Sequence, residues 1–175
     1  MIIDCHGHYT TTPEPLGAYR EAQKAALKKD PLHIGEKGVI AISDDQIRES
    51  IENAQLKQQR ERGTDVTIFS PRAAGMGHHL GEASTSELWA DACNTLIYRV
   101  ATLFPKKFIG VCMLPQSPGV SPANCIKELE RCVLEYGFVG CNLNPDPSGG
   151  YWNDPPLSNR YWYPIYEKLV ELDVP

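Results

Sequence analysis

A histidine, a glycine and a second histidine stand at positions 6, 7 and 8, at the end of a short apolar run that opens the chain. Residues two apart on a strand project from the same face. His6 and His8 therefore stand side by side, within reach of one cation. Imidazole nitrogens hold borderline-soft divalent metals, zinc above all. The cofactor expected of the pair is one divalent metal, with Zn2+ the first choice. Gly7 is read as letting the backbone bend and leaving room for a substrate. Asp4 shares the parity of the two histidines and reads either as an acceptor for an imidazole N–H or as a strand cap. Cys5 alternates away from them and is expected to pack.

Further along stand residues that suit an anionic substrate. Arg72 offers a fixed cation and a fork matched to a carboxylate, or else a surface ion pair. His78 and His79 follow Gly75 and Gly77. Neighbours on an extended loop point apart, so at most one of the two is expected to meet a substrate, unless both are simply solvated. Asn142 and Asn144 share a face, and they either bind polar substrate atoms or cap the turn before Pro145. The substrate-binding candidates are thus Arg72, His78, Asn142 and Asn144, and the metal candidates are His6 and His8. None of these is assigned as a catalytic base. There is no Gly-x-Gly-x-x-Gly, no Walker-type loop and no Gly-x-Ser-x-Gly elbow, so nucleotide binding and serine hydrolysis have no support.

The elements that must position these residues alternate. Strands are predicted over residues 2–5, 66–69, 108–113 and 138–142, and a short helix over 16–27. A capping box, Ser43 with Gln46, opens a helix that stops at Gly63. A second box, Ser84 with Glu87, opens one ending near Phe104. Ser121-Pro122 starts a third, which stops at Gly137, and a last helix spans 164–172. Residues 9–42 form a long insertion after the first strand, of the kind that serves as a lid or binding loop. The fold class is α/β, with about four βα units, parallel strands and right-handed crossovers. That is the N-terminal half of a (β/α)8 TIM-type barrel, with sites at the C-terminal ends of its strands. Residues 171–175 read as a helix end running into a fifth strand, so the expectation is one incomplete barrel domain over 1–175. The rival is a complete four-stranded open sheet.

Composition narrows the function classes. The 175 residues carry a net charge of −5 and no basic block, which argues against nucleic acid and against an anionic membrane surface as partners. No apolar stretch is long enough to span a bilayer, and the start lacks the basic region of a signal peptide. The six cysteines show no Cys-x-x-Cys spacing and read as buried, reduced thiols of a cytoplasmic protein. Cys125 and Cys132 fall on one helix face, as core residues would. The cluster Tyr161, Trp162, Tyr163 and Tyr166 is expected to pack against a neighbouring element or subunit, and a homo-oligomer is the protein partner considered.

Together these motifs carry a resemblance. The opening ten residues resemble the start of amidohydrolase-related metal enzymes, and more narrowly of the 4-oxalomesaconate hydratases of lignin-derived aromatic acid catabolism. Residues 69–73, 113–119, 142–150 and 162–168 carry the same likeness, which runs from end to end. It implies a (β/α)8 barrel about twice this length and a single divalent metal, with His6 and His8 as two of its ligands. A further histidine and a carboxylate are implied beyond Pro175. The implied reaction adds water across the C=C bond of an unsaturated oxo-tricarboxylate, a small polycarboxylate substrate. The alternatives are a metal-dependent hydrolase or decarboxylase of a related acid, or an inactive half-barrel.

Overall fold

Val66, Thr67, Ile68 and Phe69 lack polar alternation, and the structure, a computed structural model, places them in a strand paired on both edges. It describes residues 1–33, 40–72 and 77–175; Gly35 and Gly38 of the insertion, and Gly75 of the loop after the second strand, lie outside the described residues. Strands β1 (Ile3–Tyr9), β2 (Val66–Pro71) and β3 (Phe108–Gly110) form a parallel sheet in that order. Strand β4 (Cys112–Met113) pairs in parallel with β5 (Cys141–Asn142). The predicted strand 108–113 is thus two pieces that change partner at Val111. The Val111 N–H donates back to Phe69 O, while that of Cys112 donates forward to Gly140 O. The fourth predicted strand shortens to two residues, because Phe138 N–H turns to Cys132 O.

Helix α1 (Glu14–Lys29) lies in the insertion and runs longer than predicted. Its Leu16 is buried, and Tyr19 stacks on Trp89 with ring centroids 6.4 Å apart. Helix α2 (Asp44–Ile51) passes through a π turn into α3 (Lys57–Arg62), which ends at Gly63 with φ 69°. Ser43 and Gln46 form both bonds of the predicted capping box. The second box does not form. Helix α4 (Ala83–Leu103) starts after Glu82 with no side-chain cap, and the Ser86 hydroxyl pairs instead with His78. Helices α5 (Ile126–Glu130) and α6 (Tyr163–Glu171) complete the alternation, each entered through a 3-10 turn.

The helices bury one apolar layer against the sheet, with Ile47, Ile51, Phe69, Ile97, Val100, Leu129 and Ile165 fully enclosed. Asn94 of α4 is also fully enclosed and satisfied: its Nδ2 donates to Met113 O at 2.8 Å and its Oδ1 accepts from Met113 N at 2.9 Å. It stands in for the missing strand neighbour of β4. All six cysteines are free, and Cys93, Cys112, Cys125 and Cys132 are buried as expected. Cys5 is not: it is exposed, since β1 pairs with β2 on one edge only and its first residues lie open. Trp162 of the aromatic cluster is buried, as packing requires. Among the described residues no helix is long and apolar enough to cross a membrane.

Gly7 corrects a second expectation. It sits opposite Phe69 in register, and a Cβ there would fall under 3.0 Å from Thr67 Cγ2. Glycine is needed so that β1 can approach the side chains of β2, not to leave room for a substrate. Gly7→Ala is expected to cost about 1–3 kcal/mol of stability through overpacking. A urea midpoint unchanged from wild type would show that the strands separate without cost.

Candidate functional site

The histidine pair is set by a local fault in β1. Register advances by three residues on β1, from Asp4 to Gly7, against two on β2, from Thr67 to Phe69. Such a bulge leaves a backbone group outside the ladder and re-aims side chains, often beside active sites. Here the His6 N–H donates to Asp4 Oδ1 at 3.2 Å. Asp4 thus holds the bulge through the backbone. The two rings stand edge to face, 87° apart, with their Nε2 atoms 2.9 Å from each other. Zn–N bonds of 2.0–2.1 Å in tetrahedral geometry would set two such nitrogens about 3.3 Å apart. The pair therefore needs to open by only a few tenths of an ångström to admit a cation. Among the described residues no third histidine, cysteine or carboxylate joins them.

Hydrogen-bond direction fixes the state of His8. Pro71 O can only accept, and it lies 3.2 Å from His8 Nδ1, so that nitrogen carries the proton. The same Nδ1 lies 2.8 Å from Ser70 Oγ. Ser70 has one proton and gives it to Gly7 O at 3.1 Å, so its oxygen accepts from His8 and from Asn142 Nδ2 at 2.9 Å. His8 Nε2 is left as a bare lone pair facing His6. Burial first, then the neighbouring His6, with Arg72 adding, holds His8 below the usual histidine range against the opposing Pro71 bond. The outcome is a neutral, pre-aimed imidazole, which is the form that binds a metal.

These histidines open onto a cleft of about 650 Å³, lined also by His78, Gln116, Asn142 and Asn144. The structure therefore gathers five of the six predicted site residues on one cleft. Arg72 is the exception, lining a smaller neighbouring cavity, though its charge reaches His8. Asn142 directs its amide at Ser70, and Asn144 Oδ1 caps the turn by accepting from Asp146 N at 3.0 Å. Sequence reasoning missed Ser70 and Gln116. Gln116 is buried, accepting from Asn144 N at 2.7 Å and donating to Asn144 O at 3.1 Å, and so holds the β5 loop against the β4 loop. The only signal for either residue was its place at a strand end beside a proline.

His78 is 4% exposed, with Nδ1 2.7 Å from Ser86 Oγ, and is not the solvated loop residue one reading allowed. Burial, and then His79, lowers its pKa to about 4. The unfolded chain, near pKa 6.5, binds this proton between pH 6.5 and 4 while the folded chain does not. Stability from this group is full above pH 6.5 and is lost as pH falls to 4, by about 3 kcal/mol. His78→Gln is expected to flatten the fall in urea stability across that window. A variant losing stability as steeply as wild type would sink the assignment.

Comparison with known proteins adds the family context. The family model described as Amidohydrolase matches residues 3–175. The chain is 58% identical over its whole length to 2-keto-4-carboxy-3-hexenedioate hydratase of Sphingobium sp., of which it covers 50%. It is 56% identical to the crystal structure of 4-oxalomesaconate hydratase from Rhodopseudomonas palustris, with a TM-score of 0.89 over 51% of that chain. It is also 27% identical, over 69% of its length, to 2-amino-3-carboxymuconate-6-semialdehyde decarboxylase of Dictyostelium discoideum, covering 31% of that protein. The chain thus spans about half the length, or less, of the relatives it matches. A 5-carboxyvanillate decarboxylase from Novosphingobium aromaticivorans, solved with manganese, shares the fold at 20% identity and a TM-score of 0.66, with 100% of this chain covering 49% of that one.

Proposed function

The chain belongs to the amidohydrolase family, and on that premise we propose that it forms part of a metal-dependent hydratase acting on an unsaturated oxo-tricarboxylate such as 4-oxalomesaconate. The observation that carries the reading is the 58% identity to a hydratase along the whole chain, against 27% over 69% of it to a decarboxylase. The geometry supports it. His6 and His8 present two Nε2 donors to one point on the cleft. Two imidazoles favour zinc over the harder manganese. Catalytic zinc usually has three protein ligands, and in this reading the remainder come from the half of the relatives' length that these residues do not span. A bound divalent ion supplies Lewis acidity toward a substrate oxygen or a water. Ser70 and Asn142 hold His8 in its donor-ready form, and Gln116 fixes the Asn144 loop as one wall of the cleft. Arg72 offers a carboxylate a charge that the net −5 of the chain does not. The free thiols suit a cytoplasmic setting, and the hydratase relatives suit a role in aromatic-acid catabolism.

The protein produced at its relatives' full length is expected to consume 4-oxalomesaconate, read as loss of the double-bond absorbance. His6→Ala or His8→Ala is expected to abolish that turnover. Carbon dioxide release from a hydroxybenzoate, with 4-oxalomesaconate untouched, would overturn the hydratase reading. Ser70→Ala is expected to weaken zinc binding by about 10–100-fold, the usual cost of removing a partner behind a metal-bound histidine. Zinc competition against a chelator reads this directly, and an unchanged affinity would remove Ser70 from the metal centre.

A further inference from the structure

The described walls of the cleft of about 650 Å³ carry four histidines and no lysine, arginine, aspartate or glutamate. His6 and His8 face one another, nitrogen to nitrogen, and His78 is enclosed with Nδ1 on Ser86 Oγ at 2.7 Å. His79 is the fourth, and it is exposed. No hydrogen bond ties its ring nitrogens to another described residue. The ring is nonetheless held in place. A Cβ built on Gly77 or on Gly149 would overlap its Cε1–Nδ1 edge, so the ring lies directly against both glycines. Nε2 is the nitrogen farther from each, and therefore the one left open to a ligand. The Tyr151 ring stands edge-on to it, 72° apart, with centroids 6.5 Å from each other. Gly149 is itself fixed, at φ 74°, because the Asp146 carboxylate accepts from the N–H groups on either side, of Ser148 at 3.0 Å and of Gly150. His79 thus joins the loop after β2 to the loop after β5 on the exposed rim of the cleft. It also borders an open pocket of about 220 Å³, whose described wall holds Lys24 and Lys28 of α1 and no acid. A side chain held this way has given up rotamer freedom before a ligand arrives, which lowers the cost of binding one.

We propose that His79 contacts the substrate, its Nε2–H donating to one carboxylate of a polycarboxylic acid whose reacting end lies at His6 and His8. The proposal rests on the reading that the substrate is a polycarboxylate. All three histidines line one cleft, so a single ligand meets them without crossing the sheet. With no acid on the described wall, no like charge opposes a carboxylate there. The assignment divides the work of two neighbouring histidines. His78 braces the loop against α4 through Ser86, and His79 presents its ring to the ligand. It also gives Gly149 a reason to be glycine, since any side chain at that position would displace the ring.

The test uses tricarballylate, a saturated tricarboxylate that cannot be hydrated, titrated into the zinc-loaded protein at its relatives' full length. The His79 ring-nitrogen signals of a 15N-labelled sample, identified by their loss in His79→Gln, are expected to shift on titration. His79→Phe keeps a ring for Gly149 and Tyr151 to pack on and removes both nitrogens. It is expected to weaken tricarballylate binding by about tenfold or more by calorimetry, as loss of a charged hydrogen bond does, with zinc content unchanged. His79→Gln returns one N–H donor and is expected to recover part of that loss, whereas a ring held only for packing would give the reverse order. Tricarballylate binding with unmoved His79 signals and full affinity in His79→Phe would overturn the contact and leave the polycarboxylate reading standing. No tricarballylate binding to the unsubstituted protein would overturn both.

Discussion

The Ser70 hydroxyl has a single proton and three polar neighbours placed so that only one assignment works. It donates to Gly7 O and accepts from His8 Nδ1 and Asn142 Nδ2. Those three partners lie on β1 and β5, while Ser70 lies on β2. One oxygen therefore references three strands to one another at the end of the sheet where the histidines open. The cleft, the orientation of His8 and the place of Asn142 all depend on that assignment. The Pro71 carbonyl keeps the proton on His8 Nδ1, and Ser70 ties that proton's position to Asn142 on the far strand.

Helix α4 supplies the second reference. Ser86, Trp89 and Asn94 lie along about 12 Å of one helix at 1.5 Å per residue. Ser86 meets His78, Trp89 walls the small cavity, and Asn94 brackets the backbone of Met113. A rigid rod thus carries three contacts to the second loop, to α1 and to the third strand run. The change of partner at Val111 depends on this bracket, because the backbone there leaves β2 and must be held for β5.

What could be read from the residues follows the range of the interaction. The histidine pair was legible because strand periodicity is local, and the capping box at Ser43 because its two bonds close within three residues. The alternation of strands and helices was legible for the same reason. Ser70 was not, since its bond to His8 spans 62 residues and its bond to Asn142 spans 72. The box at Ser84 reads correctly as a local pattern and fails because helix α4 begins earlier, after Glu82, so that Ser84 already lies inside the helix. Gly7 was read for what it would give a ligand, when its demand comes from Thr67 on the neighbouring strand. The role of Arg72 was read from its charge, but its place beside Arg20 depends on how α1 returns over the sheet.

The close approach at Gly7 also has a meaning for descent. A side chain at position 7 and the methyl of Thr67 compete for the same volume. A lineage could enlarge position 7 only after shrinking position 67, since a Cβ at 7 alone would press on the strand pairing beside His6. The order of change is thus set by the packing: a smaller residue at position 67 opens the way to a side chain at position 7, and the reverse order meets the clash first.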